Sequence, residues 1–316
     1  MKFSVFTAST PEWTPQEAVT ELAAQGWDGI EWRVTDQAES PEPGFWAGNK
    51  ATWPMTGLEE SLPEIARITS DAGLEYSGLG GYARCDNHDG VERVLAATAA
   101  LGARQVRVNV LPLGNSTMGG GEPSGVSYPE LFEATREHYE WVAGRAAHHG
   151  VKALVELHHG TVTASASSAR RLLEGLDPRH VGVIHDLGNL LIEGWESPLP
   201  ALELLGPYLS HIHVKNARWV QTGERDESGA AVWQNEWAPL AEGQGSVLAY
   251  FKALADVGYD DWVTVEDFST ALPLTERTAG NLQYLRRVAE LAGLSVPASA
   301  DLSAGADLPA GSIPKG

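Results

Sequence analysis

Residues 151–187 read VKALVELHHGTVTASASSARRLLEGLDPRHVGVIHDL. Two short apolar runs, Val151–Leu157 and Val181–His185, flank a stretch of helical periodicity from about Ala166 to Gly175. A strand, a helix and a second strand in that order imply a parallel pair joined by a right-handed crossover. Both runs also end on ionisable residues, in Glu156-Leu157-His158-His159 and in His185-Asp186. Fold and chemistry are therefore read from the same stretch.

The unit recurs in both directions. Upstream, Phe3–Thr7, Gly29–Val34, Leu74–Leu79 and Gln105–Val110 read as strands. Between them, helices are expected over Pro15–Gln25, from about Thr56 to Ala72, over Gly90–Leu101 and over Tyr128–His149. Thr14 suits the N-cap of the first helix, Pro15 its first position, and Gly26 its end. Downstream come a helix over Leu199–Leu205, a strand over Leu209–Val214, a helix over Val247–Val257, a strand over Trp262–Val265 and a helix over Thr275–Ala292. Eight strand–helix units of about forty residues predict an α/β fold, a single-domain (β/α)8 TIM barrel over residues 1–293. No Gly-x-Gly-x-x-Gly follows the first strand, which argues against a dinucleotide-binding sheet. The tail, 294–316, is rich in Ala, Ser, Gly and Pro and is expected to be flexible or a surface strap. Segments 111–128 and 216–245 read as long loops on the catalytic rim, fit for a lid or a subunit contact.

Charge excludes some partners. Lys and Arg number 22 against 42 Asp and Glu, a formal net charge of −20. Such a field repels nucleic-acid phosphates and anionic membranes. No apolar run approaches the ~18 residues of a membrane span. The single cysteine, Cys85, has no intramolecular partner, which suits a reducing compartment, and the start of the chain lacks a signal-peptide pattern. A cytoplasmic location is expected. Several of the 11 tryptophans, among them Trp13, Trp46, Trp53, Trp219, Trp233 and Trp237, fall in expected loops. They suit either loop packing or an aromatic wall for a ring-shaped ligand, with Trp13 counted as a substrate contact.

Active sites of such barrels lie at the C-terminal ends of the strands. Those positions hold Glu31-Trp32-Arg33, Arg107 and Asn109, Glu156 to Gly160, His185 to Asn189, His211 to Asn216, and Val265-Glu266-Asp267. The last four strands thus offer Glu156, Asp186, His213 and Glu266 at one rim. Three carboxylates placed together repel unless a cation neutralises them. Three carboxylates and one imidazole suit an octahedral divalent ion, with Mn²⁺ favoured over Co²⁺ or Mg²⁺. His158, two residues beyond Glu156, points to the same side by strand alternation and is a candidate added base, since an unperturbed histidine titrates near neutral pH. Arg107 and Glu31 suit ion pairs between barrel layers.

These motifs resemble the xylose isomerase-like TIM-barrel superfamily, particularly its sugar isomerase and epimerase branch. The likeness rests on Val155-Glu156-Leu157-His158-His159-Gly160, Ile184-His185-Asp186-Leu187-Gly188-Asn189, His211-Ile212-His213-Val214-Lys215-Asn216 and Val263-Thr264-Val265-Glu266-Asp267, and it covers the barrel, residues 1–293. It implies a metal held by Glu156, Asp186, His213 and Glu266, with Glu156 and Glu266 as the proton-transfer pair and His211 behind the ligand set. The ketose epimerases of that superfamily carry His where this chain has Asn189, and Gly-Glu near Lys215-Asn216. Those departures speak against simple ketohexose epimerisation. They point Lys215 and Arg218, with Asn189 and Arg107, toward a substrate bearing a carboxylate, a phosphate or a bulky oxidised glycoside.

The leading expectation is a divalent-metal-dependent sugar isomerase or epimerase that removes a proton next to a carbonyl. The alternative is a lyase on an oxidised sugar, such as an inosose dehydratase or the large subunit of a C-glycoside deglycosidase. The expected partner is a small sugar or sugar derivative, with a possible homo-oligomer, or a small partner subunit in the deglycosidase case. An endonuclease IV-type activity conflicts with the charge. A catalytically silent sugar-binding barrel is the fourth reading.

Overall fold

The computed structural model describes residues 1–113 and 125–296. The glycines at 114 and 119–121 and the tail from 297 lie outside the described residues. Eight parallel strands close into a barrel: β1 (Lys2–Phe6), β2 (Gly29–Val34), β4 (Glu75–Gly81), β5 (Gln105–Arg107), β6 (Lys152–Glu156), β7 (Val181–Asp186), β8 (Leu209–Val214) and β11 (Trp262–Val265). Closure is made by β1, which pairs in parallel with both β11 and β2. A two-residue strand, β3 (Thr52–Trp53), continues the β2 ladder at the rim through Arg33 and Val34.

The connecting helices are α1 (Pro15–Gln25), α2 (Leu58–Asp71), α3 (His88–Ala100), α4 (Tyr128–His149), α5 (Ala166–Leu173), α6 (Leu187–Ile192), α7 (Pro198–Leu205), α8 (Val247–Asp256) and α9 (Leu274–Leu291). Their ends follow local chemistry. Thr14 and Glu17 form a capping box on α1, Pro15 supplies its first turn, and Gly26 ends it at φ 85°. Ser127 and Glu130 cap α4 in the same way, and Gly150 ends it at φ 68°. Such caps contribute about 1 kcal/mol each.

Three expectations need correction. The fourth strand ends at Arg107 rather than Val110, and beyond it Asn109 makes an isolated parallel bridge with Arg84. A short helix, α6, follows Asp186 directly, capped by that side chain through Asn189 N at 3.0 Å. Segment 216–245 is no open loop. It folds as an antiparallel hairpin of β9 (Asn216–Arg225) and β10 (Ala231–Ala238). Its alternating polar and aromatic residues are those of a ribbon exposed on both faces. Asn216 pins the base, donating to the Leu240 and Gly245 carbonyls at 2.8 and 2.9 Å.

The main core lies between barrel and helices, built from residues such as Trp32, Tyr139, Leu22 and Ile65. A second apolar cluster sits at the C-terminal mouth, with Phe6, Ala8 and Phe268 buried and Phe45, Tyr82 and Trp237 packed on them. Cys85 is buried, and burial pushes its thiol up to about 12, so it is not a nucleophile. No helix among the described residues is long and apolar enough to cross a membrane.

Gly80 is glycine because Phe6 fills the space its Cβ would need. Phe6 in turn stacks on His213, with ring centroids 5.8 Å apart. Gly80→Ala is expected to cost about 1–3 kcal/mol through overpacking, read as a lower denaturation midpoint.

Candidate metal and sugar site

Strand alternation turns every second residue inward, so β6, β7, β8 and the end of β11 present Glu156, Asp186, His213 and Glu266 to one point. One ligand atom of each lies within 4.8 Å of the others, and all four residues are buried. His213 Nδ1 is 3.3 Å from Glu156 Oε1, 3.7 Å from Asp186 Oδ2 and 3.8 Å from Glu266 Oε2. It makes no hydrogen bond of sound geometry. The other ring nitrogen, Nε2, is held by Glu31 Oε2 at 3.1 Å. The same oxygen meets His211 Nε2 at 2.9 Å, and Gln105 Nε2 meets His211 Nδ1 at 3.1 Å. Glu31 is thus no simple ion pair between layers. It fixes the ring of His213 so that Nδ1 faces the carboxylates.

Lys215 corrects its expected place. Its side chain is buried and its ammonium meets Asp186 at 2.5 Å, together with Glu266 and, at 3.9 Å, Glu156. It does not point outward to a substrate anion. Gly188 makes the room, since a Cβ there would run into the Lys215 stem and carbonyl. Arg107 is also buried. It donates to Glu156 at 2.6 Å and to the Gly81 carbonyl at 3.0 Å, and leaves Nη2 buried without a partner.

The electrostatics follow. Burial and the adjacent Glu266 and Glu156 push Asp186 up to about 7, even with Lys215 beside it. Against the cost of burial, Arg107 holds Glu156 well below the usual carboxylate range. Against the same cost, Glu31 and the site carboxylates raise His213 well above the usual imidazole value. Asp186 draws a proton because burial and the neighbouring carboxylates outweigh the Lys215 ammonium. Glu156, Asp186 and Glu266 are three carboxylates against the two buried cations Arg107 and Lys215, while Glu31 is taken up by His211 and His213. The carboxylates outnumber these fixed cations, and a divalent ion would supply the remaining positive charge. Three carboxylates and an imidazole nitrogen with no hydrogen bond fit such an ion, and buried groups of this kind could hold one.

The remaining expected residues divide. His158 Nδ1 donates to the His159 carbonyl at 2.8 Å, and burial drives it down to about 3 rather than leaving it near neutrality. Asn189 Nδ2 meets the Leu157 carbonyl at 3.1 Å and Glu156 at 3.4 Å, while its Oδ1 is buried without a partner. Arg218 stands on the exposed hairpin facing Glu236 at 3.5 Å, away from the carboxylates. Trp13 belongs to the main core rather than to the aromatic patch at the mouth. Among the tryptophans, Trp237 and Trp46 are the ones brought to the mouth, packed on Phe268 at 5.6 and 4.8 Å. The hairpin delivers Trp237 to 5.6 Å above the Lys215 ammonium. Sequence reasoning passed over Phe45, Phe268 and Tyr82, which have no motif, and gave no role to Arg33, which stands near the end of β2 on the same side as Glu31. A cavity of about 1070 Å³ opens at the opposite end of the barrel, lined by Arg104, Lys152, Ser210 and Asp261. There Arg104 pairs with Asp261 and Lys152 with Ser210, and it is not the catalytic end of such a barrel.

The family model described as xylose isomerase-like TIM barrel matches residues 19–288. An inosose dehydratase of Lacticaseibacillus casei is 28% identical over 131 residues, 40% of this chain and 44% of that protein. The match thus spans less than half of the relative's length. The crystal structure of 3-keto-D-glucoside 4-epimerase from E. coli superposes with a TM-score of 0.68 at 18% identity, covering 91% of this chain and 99% of that one. The IOLI protein with a bound zinc atom superposes at 0.64 and 15% identity, covering 92% and 99%. At those identities the likeness establishes the fold.

Two outcomes test the site. Replacing Glu31 with Gln removes the charge that fixes His213, and Mn²⁺ affinity by equilibrium dialysis should fall about 10–100-fold. Because Asp186 must lose its proton to bind a cation, affinity should hold above pH 7. It should weaken by about tenfold per pH unit below 7, read from apparent Kd between pH 5.5 and 8.5.

Proposed function

The chain belongs to the xylose isomerase-like TIM-barrel family, and from that premise we propose a divalent-metal-dependent sugar isomerase or epimerase that works by proton transfer next to a carbonyl. The observation that supports this reading most is the buried set of Glu156, Asp186, His213 and Glu266, in which three carboxylates outnumber the cations Arg107 and Lys215. These four residues would hold the ion, with Mn²⁺ favoured. A divalent ion bound there supplies Lewis acidity, which lowers the cost of negative charge on the substrate's carbonyl oxygen.

The rest is the work of the chain's own side chains. Glu156 and Glu266 come from strands separated by β7 and β8, so they approach the reacting carbon from different directions. One takes the proton and the other returns it. Arg107 keeps Glu156 ionised and therefore ready as a base. Lys215, held between Asp186 and Glu266, is a fixed donor beside the developing oxyanion. Asn189 and Arg107, both buried against Glu156, hold that carboxylate in place. Phe6, Phe268 and Trp237 exclude water from the reacting carbon.

A second reading, a dehydratase or other lyase, shares the first step. It is favoured by Asn189 and by the inosose dehydratases among the matched sequence relatives. In it, the carbanion expels a leaving group instead of being reprotonated.

Incubation with Mn²⁺ in deuterated water across a panel of ketohexoses, 3-keto-glucosides and inosose tests both. Deuterium at the carbon beside the carbonyl with the mass otherwise unchanged is expected for the first reading, and loss of a leaving group for the second. Glu266→Gln should lower turnover by about 10²–10⁴-fold. A protein that retains no divalent ion and exchanges no proton would sink both readings.

A further inference from the structure

Arg33 is a buried cation that the reaction above does not use. It lies on β2 two residues beyond Glu31, so both side chains take the inner side of the barrel. The residue is 3% exposed. Its Nη1 donates to Thr52 Oγ1 at 2.9 Å and to Gln37 Oε1 at 3.1 Å. Nε is buried without a partner, and Nη2 donates to none of the described residues. No carboxylate among the described residues lies within 4 Å of it, whereas Arg107 pairs with Glu156 and Lys215 with Asp186. The side of the guanidinium without a partner among the described residues is the Nε–Nη2 edge. That edge accepts the two oxygens of a carboxylate side by side.

Contacts tie this edge to the site. The Arg33 guanidinium lies 5.0 Å from the Tyr82 ring, and Arg107 lies 4.3 Å from the same ring. Arg107 reaches Glu156 at 2.6 Å. Arg107 and Lys215 are committed to the site carboxylates, and Glu31 to His211 and His213. Arg33 is a positive charge at the mouth that no carboxylate among the described residues neutralises. Burying a guanidinium with no anion is costly, and an incoming carboxylate would satisfy both its charge and the Nε proton.

We propose that Arg33 anchors a carboxylate on the substrate, so that the site takes a sugar acid in preference to a neutral sugar. This rests on the metal-dependent sugar reading above. It also relocates the anion contact that Lys215 and Arg218 do not provide.

Calorimetric titration of the Mn²⁺-loaded protein with D-glucuronate and with D-glucose, which differ at the carboxylate, tests it. Glucuronate should bind at least about tenfold tighter. Arg33→Gln should erase that preference, and Arg33→Lys should keep part of it, with thermal unfolding and Mn²⁺ retention unchanged. Equal binding of the two sugars, no glucuronate binding, or a preference that survives Arg33→Gln overturns the proposal. Tighter binding of glucose 6-phosphate than of glucuronate overturns the assignment to a carboxylate. Mn²⁺ retention on the same samples keeps the two readings apart. Retained metal without a carboxylate preference sinks the Arg33 anchor alone. A preference lost on Arg33→Gln in protein that holds no metal sinks the metal reading alone.

Discussion

Crowding of carboxylates in a place without water is the constraint on which the site depends. Glu156, Asp186 and Glu266 arrive from three strands at one buried point. Ionised carboxylates cost several kcal/mol each to bury, and more when they repel one another. Much around them reduces that cost. Arg107 reaches across from β5, Lys215 is threaded beside Gly188, and Glu31 holds the far side of His213. Even so, the carboxylates outnumber the fixed cations, and burial beside Glu266 and Glu156 leaves Asp186 raised. Chemistry that needs a base, an acid and an electrophile within a few ångströms is served by that arrangement.

Above the charges sits an apolar roof. Phe6 stacks on His213, Phe268 packs against Phe45, Trp46 and Trp237, and Lys215 lies beneath Trp237 and Phe268. Low-dielectric walls strengthen each interaction below them. The hairpin β9–β10 has its part here, since it brings Trp237 back over the residue that precedes its own first strand. Arg33 and Arg107 share the face of Tyr82 and mark the polar side of the same mouth. The net charge of −20 has little to do with any of this, because only a few of the 42 acidic residues are buried here.

Much of the architecture was legible in the sequence. Eight apolar runs, each followed by a helical period, translate into eight barrel strands because buried parallel strands leave nearly continuous apolar runs. Caps such as Thr14 and Gly26 are local, and they fall where the residues say. The four convergent side chains were legible too, because alternation along a strand is a local rule. The hairpin was missed because its residues are polar and exposed, with no buried face to set a period. Lys215 and Arg218 were misplaced for a related reason. Three residues apart in sequence, one ends up 3% exposed as a side chain and the other 46%.

The sequence by itself determined the order of strands, their count, and which residues stand at their inner ends. Those follow from periodicity and from the polarity of each residue. Only the tertiary structure decided which charges meet. Glu31 reaches His213 from the far side of the barrel, Lys215 turns into the carboxylates, and Arg33 meets no carboxylate among the described residues. Such pairings depend on closure of the sheet by β1, which brings together strands distant in the chain. No local pattern encodes the register at which that closure occurs.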